Sequence, residues 1–301
     1  MRIQTFKPSD LQTFKPSNLQ TNFNHMKYNY HTHSHYDDGS LAMEDFVVAA
    51  IDNGFEALGF SGHSPMSIDN EWSIKSKDLP EYAAHGKRLK EQYKEQINLY
   101  LGLEIDYIPG ISDNFDAFRK SVPLDYCLGS VHLVRHPENG QIWFIDGPAE
   151  QFFQGLNDIY QGDIRAAVTA FYEQSIMMVA SQKFEIIGHL DKVKMHVMHN
   201  QLDTSEQWYR DLTLKLLKEI SQRDIIVELN TRGVYTGKTT EYFPSDHILE
   251  QCLHLGIPVM VNSDAHHPEQ LSSLVSEGES RLADIGFKEI STPFHTHIPL
   301  T

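Results

Sequence analysis

Seven short apolar runs alternate with longer amphipathic stretches along this chain, and that alternation restricts its fold more than any other feature. The runs span residues 28–31, 57–61, 98–104, 126–131, 185–189, 225–230 and 258–262. Most are compact and bounded by Gly, Asp, Asn or Pro, the pattern of strands buried on both faces. Between them, 43–53 sets Phe46, Val47, Ala50 and Ile51 at helical spacing and stops at Gly54. The stretch 78–96 carries Leu79, Tyr82, Leu89 and Tyr93 on one face, and 164–181, 205–222 and 245–255 follow the same logic. Such alternation predicts a parallel sheet, and in a chain of 301 residues a closed or nearly closed barrel is its natural form. An open, doubly wound sheet is the alternative. No Gly-rich phosphate loop follows the first run, which weakens a nucleotide-binding version of it. The segments 134–150 and 231–244 read as long loops, which in compact domains are often functional.

The beginning of the chain is of another kind. The segment from Gln4 to Asp10 recurs almost unchanged from Gln12 to Asn18. Two copies are too few for a solenoid. Pro, Ser, Asn and Lys leave little to bury, so 1–25 is expected to be a disordered extension, with Met26 as the natural start or, as the competing reading, a short docking tail. Residues 26–301 then form one domain.

Composition narrows the partners. The net charge of −16 argues against a nucleic-acid backbone, whose phosphates need a basic surface. It leaves room for a small phosphate ester, because local cations or bound metals can reverse the field inside one pocket. No run reaches the ~18 apolar residues of a membrane helix, and no apolar secretory segment opens the chain. The two cysteines, Cys127 and Cys252, read as reduced thiols of a cytoplasmic protein.

The chemistry sits where the runs end. The first closes on His31 and His33, with Asp37 and Asp38 close behind. The second closes on His63, the third on Glu104, the fourth on His132, the fifth on His189 and Asp191, and the seventh on Asp264 and His266. In a parallel barrel these ends emerge together on the C-terminal face, where barrel active sites lie. One strand-end histidine is more often structural than a ligand; six of seven ends carrying His, Asp or Glu is a metal-binding pattern. Neutral imidazoles with a few carboxylates suit Zn, Fe or Mn. His31, His33, Asp38, His63, Glu104, His132, His189, Asp264 and His266 make nine candidate ligands. A tetrahedral zinc takes about four ligands, so the set predicts two or three ions sharing a carboxylate. Clustered ions activate water and neutralise phosphate, which is phosphoester hydrolysis chemistry.

At these motifs the sequence resembles the polymerase-and-histidinol-phosphatase (PHP) superfamily, and within it the histidinol-phosphate phosphatases. The matching segments are His31-Thr32-His33 with Asp38-Gly39, Gly59 to His63, Gly102-Leu103-Glu104, Gly129 to His132, Gly188 to Asp191, Glu228 to Arg232, and Asp264-Ala265-His266. They run through most of 28–285. The resemblance implies a distorted (β/α)7 TIM-like barrel and two or three divalent metal ions with Glu104 bridging. It also implies a bridging hydroxide attacking phosphorus, with Glu104, Asp264 and His266 at the reacting centre. It places Asp38 among the ligands and leaves Asp37 as a loop residue.

A phosphate needs cations, and arginine makes the best forked contact. Arg232 is the expected phosphate ligand, with Lys238 and Lys192 beside it and Lys194 as a further helper; solvated surface charge is the other reading of Lys192 and Lys194. In 134–150, Trp143 is a candidate to pack on an imidazole and Asp146 to pair with an amine, unless both serve loop packing. His35, Asp191 and His267 are candidate general acids. The expected activity is hydrolysis of L-histidinol phosphate in histidine biosynthesis. The alternatives are a phosphoesterase for nucleotides or other small esters, and a metal-binding protein without catalysis.

Overall fold

The computed structural model of the protein describes residues 26–198 and 201–300; the repeat and the extension expected at 1–25 lie outside the described residues. In chain order the strands are β1 (Tyr28–Asn29), β2 (Ala57–Phe60), β3 (Asn98–Asp106), β4 (Tyr126–Ser130), β5 (Leu133–Arg135), β6 (Ile142–Phe144), β7 (Ile186–Ile187), β8 (Ile226–Asn230), β9 (Val259–Asn262), β10 (Glu289–Ser291) and β11 (His297–Pro299). The helices are α1 (Met43–Asp52), α2 (Leu79–Tyr93), α3 (Phe115–Ser121), α4 (Ala149–Tyr160), α5 (Ile164–Ser181), α6 (Gln207–Ile220), α7 (Arg232–Tyr235), α8 (Asp246–Leu255) and α9 (Val275–Ile285). Each of the seven apolar runs marks one strand of a parallel sheet ordered β1-β2-β3-β4-β7-β8-β9, with β3 continuing past its run of 98–104 to Asp106.

The sheet curls until its two edges meet. His33 N donates to Ala265 O at 2.9 Å and Ala265 N donates to His31 O at 3.0 Å, so the segments following β1 and β9 pair in parallel. The result is the nearly closed seven-stranded barrel that the alternation predicts. Strand interiors are buried on both faces, with Leu103, Leu128, Val227 and Val261 fully covered, which is why the runs are almost continuously apolar. Gly102 is required by packing: a Cβ there would lie 2.7 Å from the Tyr126 ring. Below, Phe294 stacks on Tyr100 at a centroid distance of 3.7 Å and also meets Tyr30 and Tyr126.

The helices follow their local signals. α5 begins at Asp163, whose side chain accepts from Ala166 N. α8 ends at Gly256, whose left-handed φ of 66° terminates it. The segment 134–150 is not a plain loop. It holds most of the antiparallel β5–β6 hairpin and the start of α4. Three-residue strands are too short to show a period, so only tertiary packing reveals them. No helix among the described residues is long and apolar enough to cross a membrane.

Candidate metal centre

Because every barrel strand runs the same way, the strand-end side chains converge on one mouth. The nine candidate ligands all meet there. They form four overlapping groups: His33, Asp38, His63 and His266; His31, His33 and Asp264; His31, Glu104 and His189; and His63, Glu104 and His132. Glu104 lies in the middle. Its Oε2 is 3.1 Å from His31 Nε2, 3.3 Å from His63 Nδ1 and 3.4 Å from His33 Nε2. Its Oε1 is 3.0 Å from His189 Nε2 and 3.6 Å from His132 Nε2, and accepts from Ser130 Oγ at 2.6 Å. Asp264 Oδ1 stands 3.4 Å from both His33 Nε2 and His266 Nδ1 and 3.6 Å from His31 Nε2.

Several of these separations are poor hydrogen bonds. They match the ~3.4 Å edge of a tetrahedron with ~2.1 Å metal–ligand bonds. His33 Nε2, His63 Nδ1 and Asp264 Oδ1 are buried and have no hydrogen-bond partner. Buried polar atoms are normally satisfied, so these three mark positions that a cation would satisfy. The donor set of imidazoles and carboxylates fits two or three divalent ions, with one Glu104 oxygen facing each side.

A further layer orients the rings. His31 Nδ1 donates to Glu228 Oε1 at 2.6 Å, His33 Nδ1 to Asp37 Oδ2 at 2.6 Å, and His132 Nδ1 to Asp106 Oδ2 at 3.2 Å. Each contact leaves Nε2 as the free lone pair toward the centre, the usual way a carboxylate sets the tautomer of a metal-binding histidine. Asp37 is therefore more than the loop residue expected from sequence. Its side chain is fully buried and also accepts from the backbone N–H groups of Ser34 and His63. Asp106 and Glu228 were given no role in the sequence reading. Asp106 sits two residues beyond Glu104, on the same face of β3, and Glu228 is a carboxylate inside an apolar strand. Both signals were legible.

The electrostatics follow. Burial alone would depress His31, but Asp264, Glu228 and Glu104 outweigh it and hold the ring protonated well above its usual range. Burial opposes His33 too, yet Asp37 and Asp264 raise it to about 10. Burial would raise Glu104 and Asp264, but the surrounding histidines hold both well below the ordinary carboxylate range. The same carboxylates do not raise every ring: burial leaves His189 and His266 below the ordinary histidine value. The folded-state pKa of His33 lies above its ordinary 6.5, so its stabilising charge is complete below pH 6.5 and lost as pH rises toward about 10. Metal binding needs the neutral ring and strengthens over the same range. The melting-temperature gap between zinc-loaded and chelated protein is expected to widen steadily from pH 6 to pH 9. A gap that stays constant or narrows refutes this account.

The backbone at Asp264 is unusual, with φ at 54°. That left-handed conformation is held by three donors on the Asp264 carbonyl: Arg232 Nη1 at 3.0 Å, Tyr235 OH at 3.1 Å and His266 Nδ1 at 3.1 Å. Arg232 opens α7 and lines the cavity above the centre, as do Lys192 and Lys238. Lys192 is buried, its Nζ 2.6 Å from Asp146 and 3.3 Å from His132 Nε2. Lys194 is not a substrate helper. It is buried in a structural knot with Asp191, Ser245 and the Tyr242 carbonyl. Neither lysine is solvated surface charge. Asp191 is held by Ser245 and Lys194, His35 packs on Tyr36, and His267 caps residues 268–270; none of the three lines the cavity. Trp143 faces the hairpin core against Phe152, while its neighbour Phe144 turns to the cavity and meets Trp72 edge-on at 6.0 Å. Adjacent strand residues point to opposite faces, so the aromatic wall is Phe144 and Trp72 rather than Trp143.

The family model for the PHP domain matches residues 29–232, and the chain belongs to this family. A curated relative, the "Probable histidinol-phosphatase" of Deinococcus radiodurans, is 25% identical over 82% of this chain and 88% of its own. The histidinol-phosphatase of Lactococcus lactis is 24% identical over 88% of this chain and 94% of its own. The crystal structure of histidinol phosphate phosphatase from Lactococcus lactis with Zn, L-histidinol and phosphate has a TM-score of 0.69 and 21% identity, covering 88% of this chain and 96% of that one. At that identity the structural likeness supports the barrel.

Proposed function

We propose that this chain is a metal-dependent phosphomonoesterase that hydrolyses L-histidinol phosphate to L-histidinol and phosphate. The observation that carries this reading is one cavity of about 220 Å³ that joins the ligand groups, the cations Arg232, Lys192 and Lys238, and the Trp72–Phe144 wall. The size suits a small ester. The wall offers an apolar face to an imidazole ring, and the three cations offer charge-assisted contacts to a phosphate. The relatives' names point to the same substrate.

The nine ligand residues would hold two or three divalent ions, zinc, iron or manganese. Bound ions would supply Lewis acidity toward the phosphoryl oxygens and toward water. Arg232, with Nη1 donating to the Asp264 carbonyl and the Tyr235 hydroxyl, has the rest of its fork for the phosphate. Lys192 and Lys238 add charge on the side of the cavity shared with Asp146. Asp37, Asp106 and Glu228 hold three imidazoles in place, so little reorganisation accompanies reaction. Cys127 and Cys252 are buried free thiols, which suits a cytoplasmic setting.

The test is phosphate release from L-histidinol phosphate by zinc- or manganese-loaded protein, beside nucleotides and sugar phosphates. A kcat/KM for histidinol phosphate far above the panel is expected. Hydrolysis of the panel with histidinol phosphate ignored would keep the metal chemistry and discard the substrate.

A further inference from the structure

The geometry points to Asp146 as the residue that selects substrates carrying an ammonium group beside the phosphate ester, namely phosphates of 2-amino alcohols. This deepens the reading of the same site as a phosphomonoesterase pocket and rests on it. Four carboxylates line the cavity, Asp38, Glu104, Asp146 and Asp264. Three of them belong to ligand groups; among the described residues Asp146 belongs to none. A spare negative charge on the wall of a phosphate pocket repels its ligand unless a cation accompanies it.

Asp146 already shows which cation it takes. It follows β6, and Lys192 reaches it from the turn after β7 with an ammonium-to-carboxylate distance of 2.6 Å. The same Nζ lies 3.3 Å from His132 Nε2, the atom that faces Glu104 in one ligand group. An ammonium and a metal ion cannot share that lone pair. Loading the centre therefore turns Lys192 away from His132, and the arriving phosphate draws it further. The phosphate draws Lys238 as well, the other cation beside Asp146, so the carboxylate gives up part of its pairing while 27% of its side chain is exposed. A substrate ammonium close to the ester oxygen replaces what Lys192 withdraws. A plain phosphate ester brings no such cation and meets a carboxylate that Lys192 and Lys238 now share with the phosphate, so one carboxylate both attracts the amino ester and disfavours its deaminated counterpart.

The experiment compares zinc-loaded wild type and Asp146→Asn on two substrate pairs. One is L-histidinol phosphate and the same ester lacking the amino group; the other is 2-aminoethyl phosphate and ethyl phosphate. Wild type is expected to favour the amino member of each pair by roughly 10- to 100-fold in kcat/KM, and Asp146→Asn to bring that ratio close to one. Asp146→Glu, which keeps the charge, should retain most of the ratio. Calorimetry reads the subsite without turnover: L-histidinol should bind the Asn variant roughly tenfold more weakly. A wild-type ratio near one for both pairs overturns the inference without any variant. So does an equal loss on both members of a pair, which would mean that Asp146 only positions Lys192. If both amino esters are favoured but histidinol phosphate is no better than 2-aminoethyl phosphate, the amine subsite stands and the histidinol assignment fails.

Discussion

Glu104→Gln is expected to lose most of its turnover together with at least one bound ion per chain. The carboxylate is buried, and its two oxygens face five imidazoles within 3.6 Å. Glutamine keeps the shape but removes the charge and turns an N–H₂ toward lone pairs that point at the centre. Removing one partner from a buried charge assembly costs about 3–5 kcal/mol, which is roughly a 10²- to 10⁴-fold loss in affinity for the ion it bridges. Turnover should fall at least as far, because the ions that Glu104 would hold would supply the Lewis acidity toward phosphate and water. The measurement is elemental analysis of metal per chain beside kcat/KM with histidinol phosphate. Unchanged stoichiometry with unchanged kcat/KM would sink the bridging assignment and with it the division of the nine ligands into groups around one carboxylate.

The second large effect is expected at Arg232. Its replacement by Ala removes a forked cation from the cavity and a donor from the Asp264 carbonyl. Loss of one partner from a buried charge pair costs about 2–5 kcal/mol, so kcat/KM should fall roughly 30- to 5,000-fold. As the expected phosphate ligand, Arg232 contributes to substrate capture. The hydrogen bond to Asp264 adds a second component, since that residue's left-handed backbone is held by Arg232, Tyr235 and His266. Metal affinity should therefore weaken as well, by less than in Glu104→Gln. Arg232→Lys separates the two roles: it restores charge for the phosphate but cannot make forked contacts, so KM should recover more than metal retention does. A kcat/KM for Arg232→Ala within about threefold of wild type at saturating zinc would show that transition-state binding does not pass through this residue.

Much of the site was legible before any coordinates because of how a parallel barrel is built. Strands buried on both faces must be nearly continuous apolar runs, and β2, β3, β4, β8 and β9 lie within two residues of the segments read from sequence. β1 and β7 form only two-residue ladders, so their runs mark the strands while their bounds depend on pairing. The candidate ligands were legible for the same reason: a polar residue just past a strand end in this architecture faces the mouth. The short strands β5 and β6, the plug under Tyr100 and the role of Asp37 were not, since each depends on contacts between distant segments. Trp143 shows the limit sharply. It and Phe144 are adjacent aromatics of equal promise in the sequence, and only the facing of β6 sends one to the hairpin core and the other to the cavity.

The sequence by itself determined the chemistry of the centre. Residue type and position relative to an apolar run are local properties, and the barrel turns them into a shared location. Tertiary structure alone decided the partnerships: Asp37 with His33, Glu228 with His31, Asp146 with Lys192, and Lys194 withdrawn to Asp191. Such pairings are set by side-chain direction and by which strand lies next to which. Neither is encoded in the spacing of one segment, because both arise only when the sheet closes.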